Sequence, residues 1–416
     1  MSNTPLATAD ERIGVLSNWL LHHGLVGTPN LQILEGYCEQ LCALGVPLLR
    51  FHVTHNALHP VYGAVGFDWK QDTDVVEHAY AHSQETPAVW YDSPFYYMLS
   101  QDVTEYREKM GEGRPESRFP LLRQMSTEGA TEYLAMMMLY IERDENVPLS
   151  PELEGGEEGA LASWMAHAPG GFEDRDVTLI RETFPLLSLV IKSGTNRKTA
   201  EDLLGIYLGR DAGRRVLMGE IQRGSSQWID AVICYFDLAG FTNMSQKIEG
   251  EALIGMLNDY FGLVVSQIEA HKGDVLKFMG DGLIAIFDRS TLEDAAAQAL
   301  QAVIEIGAGM EARNADRAGQ GVPTLGYTVA LHAGQVLYGN IGADERLDFT
   351  VIGPEMNLAA RLGDMHRPLG RNVIVSEAAL AAAPPEAYEL VSLGRYMLRG
   401  VEHPLELFTL HDLSPH

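Results

Sequence analysis

Cysteine is scarce in this chain. Its 416 residues hold three, Cys38, Cys42 and Cys234, and a sparse, odd set fits a reducing compartment and no disulfide framework. Cys38 and Cys42 are spaced to share one helix face; two small core residues are the plainer reading, a metal or redox pair the alternative. Basic charge is also short. Lys and Arg number 30 against 57 Asp and Glu, a formal net charge of −27, so the basic footprint of a nucleic-acid-binding protein is missing. An acidic surface still admits an anionic nucleotide where a local site supplies metal ions and a few cations. Long hydrophobic runs are missing too. None approaches the roughly 20 residues that span a bilayer, and the opening "MSNTPLATADER" has no basic region followed by an apolar core. The expectation is a cytoplasmic protein with no membrane insertion. What is present is a globular composition, 46% hydrophobic, over a length that suggests two or three domains.

The first part of the chain reads as helices followed by a meander of strands. "TADERIGVLSNWLLHHGL" puts Ile13, Leu16, Trp19 and Leu20 at helical spacing. "TPNLQILEGYCEQLCALG" predicts a second helix with Thr28 as N-cap, Pro29 at the first helical position and Gly45 at the end. "PLLRFHVT", "VYGAVGFDW", "EYLAMMMLYI" and "ALASWMAHA" read as strands, with the acidic "ELEGGEEG" as a hairpin loop between the last two. A mixed region runs from "SPFYYMLSQ" to "FPLLRQM", and "FEDRDVTLIRETFPLLSLVIKS" is a closing helix. This α+β order is sensor-like. It resembles a GAF-type domain, most clearly in "PGGFEDRDVTLIRETFPLLSLVI", over residues 29–194. His52, His55, His59, His78, His82 and His167, with Trp69, Trp90, Tyr91, Tyr96 and Tyr97, form a His-rich, aromatic set. Such a set can line a pocket for haem, a metal or an unknown small ligand, or be dispersed through core and surface.

Residues 1–194 are therefore read as N-terminal helices and sensor domain, 195–228 as a connector with one or two short helices, and 229–416 as a second domain. In that second domain "DAVICYFDL" is a buried strand. "GEALIGMLNDYFGLVVSQIEAH" carries Leu253, Met256, Leu257, Tyr260, Phe261, Val264 and Ile268 as one stripe. "DVLKFM" and "LIAIF" flank an Asp-Gly turn. A further helix, the strands "TLGYTVALHAG" and "QVLYGNIG", a short helix and the strand "NVIVSE" complete a β-α-β-β-α-β order, the ferredoxin-like arrangement.

In that arrangement Asp237, at the end of the first strand, and Asp281, at the hairpin tip, converge on one sheet edge. Paired carboxylates there suit hard divalent cations that retain water or phosphate. The following loop, "LAGFT", with Phe241 and Thr242, turns into a helix and offers backbone N–H groups to a polyphosphate. Asn357 and Arg361 stand at i and i+4 on one helix face, and a guanidinium can meet charge developing at phosphorus.

"AVICYFDLAGFTNMSQ", "HKGDVLKFMGDGLIAIF" and "LGYTVALHAGQVLYGNIGADERLDFTVIGPEMNLAARL" together resemble, in order and spacing, the signatures of class III nucleotidyl cyclase catalytic domains, over most of residues 229–412. The resemblance implies a ferredoxin-like core working as a homodimer, with active sites at the subunit interface. It implies that Asp237, Asp281 and the carbonyl of Leu238 bind two Mg²⁺ or Mn²⁺ ions, and that Lys277 and Thr350 read the purine. Asn357 and Arg361 would orient the ribose and stabilise the transition state, and Arg346 and Arg399 would hold the terminal phosphates. Lysine at the first purine position implies ATP, and so an adenylate cyclase; guanylyl cyclases typically place Glu there. Pro354-Glu355 departs from the Asp and small residue of many relatives. The alternatives are a cyclase using GTP or a pyrimidine nucleotide, a non-catalytic nucleotide-binding module, for which a lost Asp, Asn or Arg is expected, and a diguanylate cyclase, which calls for a GGDEF-like turn.

Overall fold

The helical spacing at the start of the chain is realised in two helices, α1 (Ala9–Val26) and α2 (Asn30–Ala43). The computed structural model describes residues 9–56, 59–82, 88–140, 159–382 and 389–411, and the chain divides into two units, Met1–Leu203 and Leu204–His416. After α1 and α2 come strands β1 (Leu48–Asn56), β2 (Tyr62–Lys70) and β3 (Val76–Ala81). Two short helices, α3 (Ala88–Tyr91) and α4 (Pro94–Ser100), precede β4 (Glu105–Lys109), and α5 (Pro120–Thr127) precedes β5 (Glu132–Leu139) and β6 (Gly159–Ala166). Helix α6 (Asp174–Leu208) follows.

The six strands form one sheet in the order β3-β2-β1-β6-β5-β4, with every pairing antiparallel. One face buries Phe51, Val53 and Trp164 against Leu16, Leu20, Tyr37, Cys38, Phe184 and Leu187 of the helices. The other buries Tyr133, Met137 and Met165 against Phe95, Met98, Leu122 and Met125. Burial on both faces explains why β5 reads as an unbroken apolar run. Cys38 lies in this core as a free thiol, pushed well above its ordinary pKa by burial; with the half-buried Cys42 it belongs to packing. Thr28 is not the cap of α2. Pro29 is the N-cap, and the Thr28 hydroxyl pairs instead with Nδ1 of His23 at 3.0 Å. The "ELEGGEEG" hairpin loop lies outside the described residues except for Gly159 at the start of β6.

The second unit opens with α7 (Arg210–Leu217) and β7 (Ser226–Ala239). Then come α8 (Phe241–Met244), α9 (Gly250–Ala270), β8 (Asp274–Met279), β9 (Gly282–Asp288) and α10 (Ala295–Gly319). The rest is β10 (Gly326–Ala343), β11 (Arg346–Ile352), α11 (Pro354–Asp364), α12 (His366–Leu369), β12 (Val373–Ser376), α13 (Glu377–Ala381), β13 (Leu390–Tyr396) and β14 (Leu405–Leu410). The sheet order is β13-β14-β12-β10-β7-β9-β8, with β11 paired to β10. Strands β7 and β9 are central neighbours, as the ferredoxin-like order requires. Helices α9 and α10 cover one face, burying Val232, Cys234, Phe236, Leu283 and Phe287. On the other face Ile229, Ala231, Ile233, Ile284 and Ile286 meet Ala212 of α7, Phe349 and Val351 of β11 and Ala359 of α11.

Two segments differ from the sequence reading. "TLGYTVALHAG" and "QVLYGNIG" are one strand, β10, because β7 pairs with it without a break from Gly326↔Ala239 to Gly339↔Ser226. The closing helix of the first unit runs on to Leu208, so the first part of the segment read as a connector is helical and continuous with it.

Candidate active site

Asp237 lies near the end of β7, opposite Gly282 of β9. The turn joining β8 and β9 is Gly280-Asp281, one residue earlier than the Asp-Gly reading: Met279 pairs with Gly282, and Gly280 takes a φ of +67° that favours glycine at the first turn position. Asp281 is therefore the second turn residue, and its carbonyl accepts a 3.0 Å bond from the Leu238 N–H. Gly282 is the second glycine the geometry demands. A Cβ there would stand 2.6 Å from the Phe236 carbonyl oxygen and 2.9 Å from Asp237 Oδ1.

Asp281 acts on its neighbour. Burial, and then the charge of Asp281, push the Asp237 carboxyl up to about 6. Such an unrelieved pair of acids fits a divalent cation: each supplies hard oxygen donors, and a cation removes the repulsion that raises the carboxyl. Tyr235, on the same face of β7, reports the same field; burial and then Asp237, Asp364 and Asp281 raise its phenol. Its ring lies against α11, 3.3 Å from the position a Cβ on Gly363 would take. Sequence reasoning missed Tyr235, whose only signal is its place two residues before Asp237.

Just past Asp237, Gly240 adopts φ +89° and starts the single turn α8, which holds the half-buried Phe241 and the exposed Thr242. On β8, Lys277 Nζ donates to Asp348 Oδ2 of β11 at 3.1 Å. Thr350 is two residues further along β11, so it shares that face of the strand. The pair is partly exposed on both sides, 39% and 59%, and such a pair is worth about 0–1 kcal/mol. The ammonium is thus aimed yet free to donate elsewhere. Asp348 was not foreseen. Arg346 begins β11 and is exposed.

Helix α11 presents Asn357 exposed and Arg361 half-buried, over Leu358, Ala359 and Leu362 packed beneath. The Arg361 guanidinium lies against Gly400, 3.2 Å from where a Cβ would stand, and so beside the loop carrying the exposed Arg399. Among the described residues, no hydrogen bond or ion pair joins the Asp237 and Asp281 side chains to Lys277, Asn357 or Arg361. The structure thus assembles a carboxylate pair, a lysine against β11, and an arginine beside the Gly400 loop, with Asn357 one turn earlier on the same helix.

In the first unit the histidines make small local sets of polar contacts. His52 and His78 both pair with Asp68, His55 with Thr195, and His82 with the backbone carbonyl of His59. Among the described residues no group of three or more His, Cys, Asp or Glu is arranged to hold a metal ion. Nor is any described helix long and apolar enough to cross a membrane.

The second unit is similar to known proteins. Residues 225–412 match the family model of the adenylate and guanylate cyclase catalytic domain. An uncharacterized protein of Mycobacterium tuberculosis (strain H37Rv) is 32% identical over 216 residues, 51% of this chain and 38% of that protein. The chain thus spans under two fifths of such relatives. Among solved structures, the adenylyl cyclase CyaB from P. aeruginosa is 25% identical, covering 45% of this chain and 96% of its own, with a TM-score of 0.42. The guanylyl cyclase Cya2 is 27% identical, covering 46% and 99%, with a TM-score of 0.40.

Proposed function

Since residues 225–412 belong to the adenylate and guanylate cyclase catalytic domain family, we propose that the protein converts ATP to 3′,5′-cyclic AMP and pyrophosphate. The observation that carries the reaction is the convergence of Asp237 and Asp281, with the Asp237 carboxyl raised to about 6 by burial and its neighbour. These two and the Leu238 carbonyl would hold two Mg²⁺ or Mn²⁺ ions. Bound there, divalent ions supply activation of the ribose 3′-hydroxyl and neutralisation of the leaving pyrophosphate.

The chain's own residues do the positioning. Lys277, aimed by Asp348 at 3.1 Å, donates to the base edge beside Thr350. Asn357 orients the ribose so that its 3′-oxygen attacks the α-phosphorus in line. Arg361 meets the charge that grows on the α-phosphoryl oxygens, and Arg346 and Arg399 receive the outer phosphates. The backbone N–H groups of Phe241 and Thr242 face the polyphosphate. Catalysis of this kind is mostly orientation and electrostatics.

The choice of ATP rests on Lys277, and a homodimer whose sites draw on both subunits is what the resemblance to class III nucleotidyl cyclases implies. We read the first unit as a GAF-like regulatory domain for an unknown small ligand. Side-by-side turnover of ATP, GTP, CTP and UTP with Mn²⁺ tests the reading. ATP is expected to give the highest kcat/KM, and a preference for GTP contradicts the role given to Lys277. The same assay on residues 204–416 should give a clearly different kcat from the full chain; equal values remove the regulatory role.

A further inference from the structure

The sequence leaves the pattern it resembles at Pro354-Glu355, and the fold gives Glu355 a partner. His332 of β10 is 3% exposed. Its Nε2 stands 2.6 Å from Glu355 Oε2, and its Nδ1 stands 2.8 Å from the hydroxyl of Ser376, which is fully buried. Ser376 Oγ also accepts the Ala379 N–H at 3.3 Å, as N-cap of α13. With its proton on Nε2, His332 donates to Glu355 and accepts from the Ser376 hydroxyl, so each group in the line is satisfied. The space is shaped for this. At Gly334, two residues along β10 on the same face, a Cβ would come within 2.7 Å of Glu355 Cγ.

The line ties three elements, β10, β12 with its following helix, and the first turn of α11. That turn has no side-chain cap, and its N–H bond from Asn357 to the Gly353 carbonyl is long, at 3.4 Å. Beneath α11 lie Leu358, Ala359 and Leu362. Apolar packing of that kind resists separation but is non-directional, so it sets the rotation of the helix only loosely. A hydrogen bond to a buried histidine is directional and sets it closely. Asn357 and Arg361 follow Glu355 by two and six residues on the same helix.

We propose that His332 and Glu355 are positioning residues of the cyclase reaction, fixing the rotation of α11 so that Asn357 and Arg361 face the ribose and the α-phosphate. The inference rests on the cyclase reading of the site. A misplacement of about 1 Å at a reacting centre can cost about a hundredfold, whereas base and outer-phosphate contacts made from other elements are retained, so the loss falls on kcat.

The test is steady-state kinetics of the full chain with ATP and Mn²⁺. Glu355→Ala should lower kcat about tenfold or more with KM changed less than about twofold. Glu355→Gln, which keeps an acceptor for His332, should restore most of that loss. Gly334→Ala, which displaces the carboxylate without removing it, should resemble Glu355→Ala. His332→Ala combined with Glu355→Ala should be no worse than the poorer single variant, since both act through one contact. Because His332 is buried and its truncation can compromise folding, the Glu355 and Gly334 variants decide the matter. A Glu355→Ala kcat within about twofold of wild type overturns the proposal, as does a Gln variant no better than Ala, or a loss confined to KM. A wild-type chain that forms no cyclic nucleotide from any of the four triphosphates overturns the cyclase reading and this inference together. An active wild type with an indifferent Glu355→Ala overturns this inference alone.

Discussion

At Gly282 the absence of a side chain is a property of the site, since a Cβ there would crowd Asp237 Oδ1 at 2.9 Å. That closeness lets β9 bring Asp281 against Asp237, and with burial makes Asp237 costly to charge without a cation. Asp237→Ala or Asp281→Ala should therefore abolish cyclic nucleotide formation while leaving the fold intact, because each variant removes a like-charge repulsion. Turnover with Mn²⁺ beside circular dichroism checks both halves; near-normal turnover in either variant excludes the metal-binding role. The acids, Lys277, Asn357 and Arg361 were nominated by motifs whose order and spacing resemble class III nucleotidyl cyclases, since each motif alone reads equally as a turn or a surface helix face. Asp348, Tyr235 and the His332–Glu355–Ser376 line were not. Lys277 and Asp348 are 71 residues apart, and His332 and Ser376 are 44. Such partners follow from which strands lie side by side and which faces they turn inward, and no local window contains that.

Among the elements, α7 shows a strain that the sequence hides. Asp274, first residue of β8, accepts the Arg210 N–H at the start of α7 at 3.1 Å through Oδ1, while its buried Oδ2 has no hydrogen bond among the described residues. Gly209 permits this approach, with φ +90° and a would-be Cβ 2.6 Å from the Val275 carbonyl oxygen. Burial raises the Asp274 carboxyl to about 6, against 3.8 ordinarily. Between those two pH values the folded chain keeps a proton that the unfolded chain has lost, so this group's effect is to lower stability as pH rises through the window and to keep it lower above about 6. Asp274→Asn retains an acceptor for Arg210 and never charges. It should stabilise the second unit at pH 7.5 by about 1–3 kcal/mol, an upper range set by about 1.4 kcal/mol per pH unit, with the gain fading towards pH 4. Urea unfolding at the two pH values measures it, and equal stability at pH 7.5, or a gain that persists at pH 4, contradicts the assignment. Elements with a buried stripe, such as α9, or burial on both faces, such as β5 and β7, were legible. Strand β3 was not, because all six of its residues are exposed and it carries no alternation to read. Nor was the full length of α6, whose apolar pattern is interrupted by the mostly polar run from Gly194 to Asp202.

For the whole molecule, the proposed dimer places the metal ligands of each site on one chain and Lys277, Asn357 and Arg361 on the other. Asp237→Ala and Arg361→Ala should each be inactive, yet co-expressed with two tags they should regain up to about a quarter of wild-type activity, since about half of the dimers are mixed and each holds one intact site of two. Purified mixed dimers that stay inactive while co-expressed wild type survives the same handling contradict the shared arrangement. The β8–β9 hairpin adds a consequence in the language of gene dosage. It carries Lys277 and Asp281 four residues apart, so it contributes to both sites of the pair. A subunit altered only at Asp237 spoils one site of a mixed dimer, and activity then falls in proportion to the wild-type fraction. A subunit altered at both Lys277 and Asp281 spoils both sites, and activity falls as the square of that fraction. At equal expression the first allele leaves about half of the activity and the second about a quarter, so a double lesion in this one hairpin behaves as a dominant inhibitor of its normal partner.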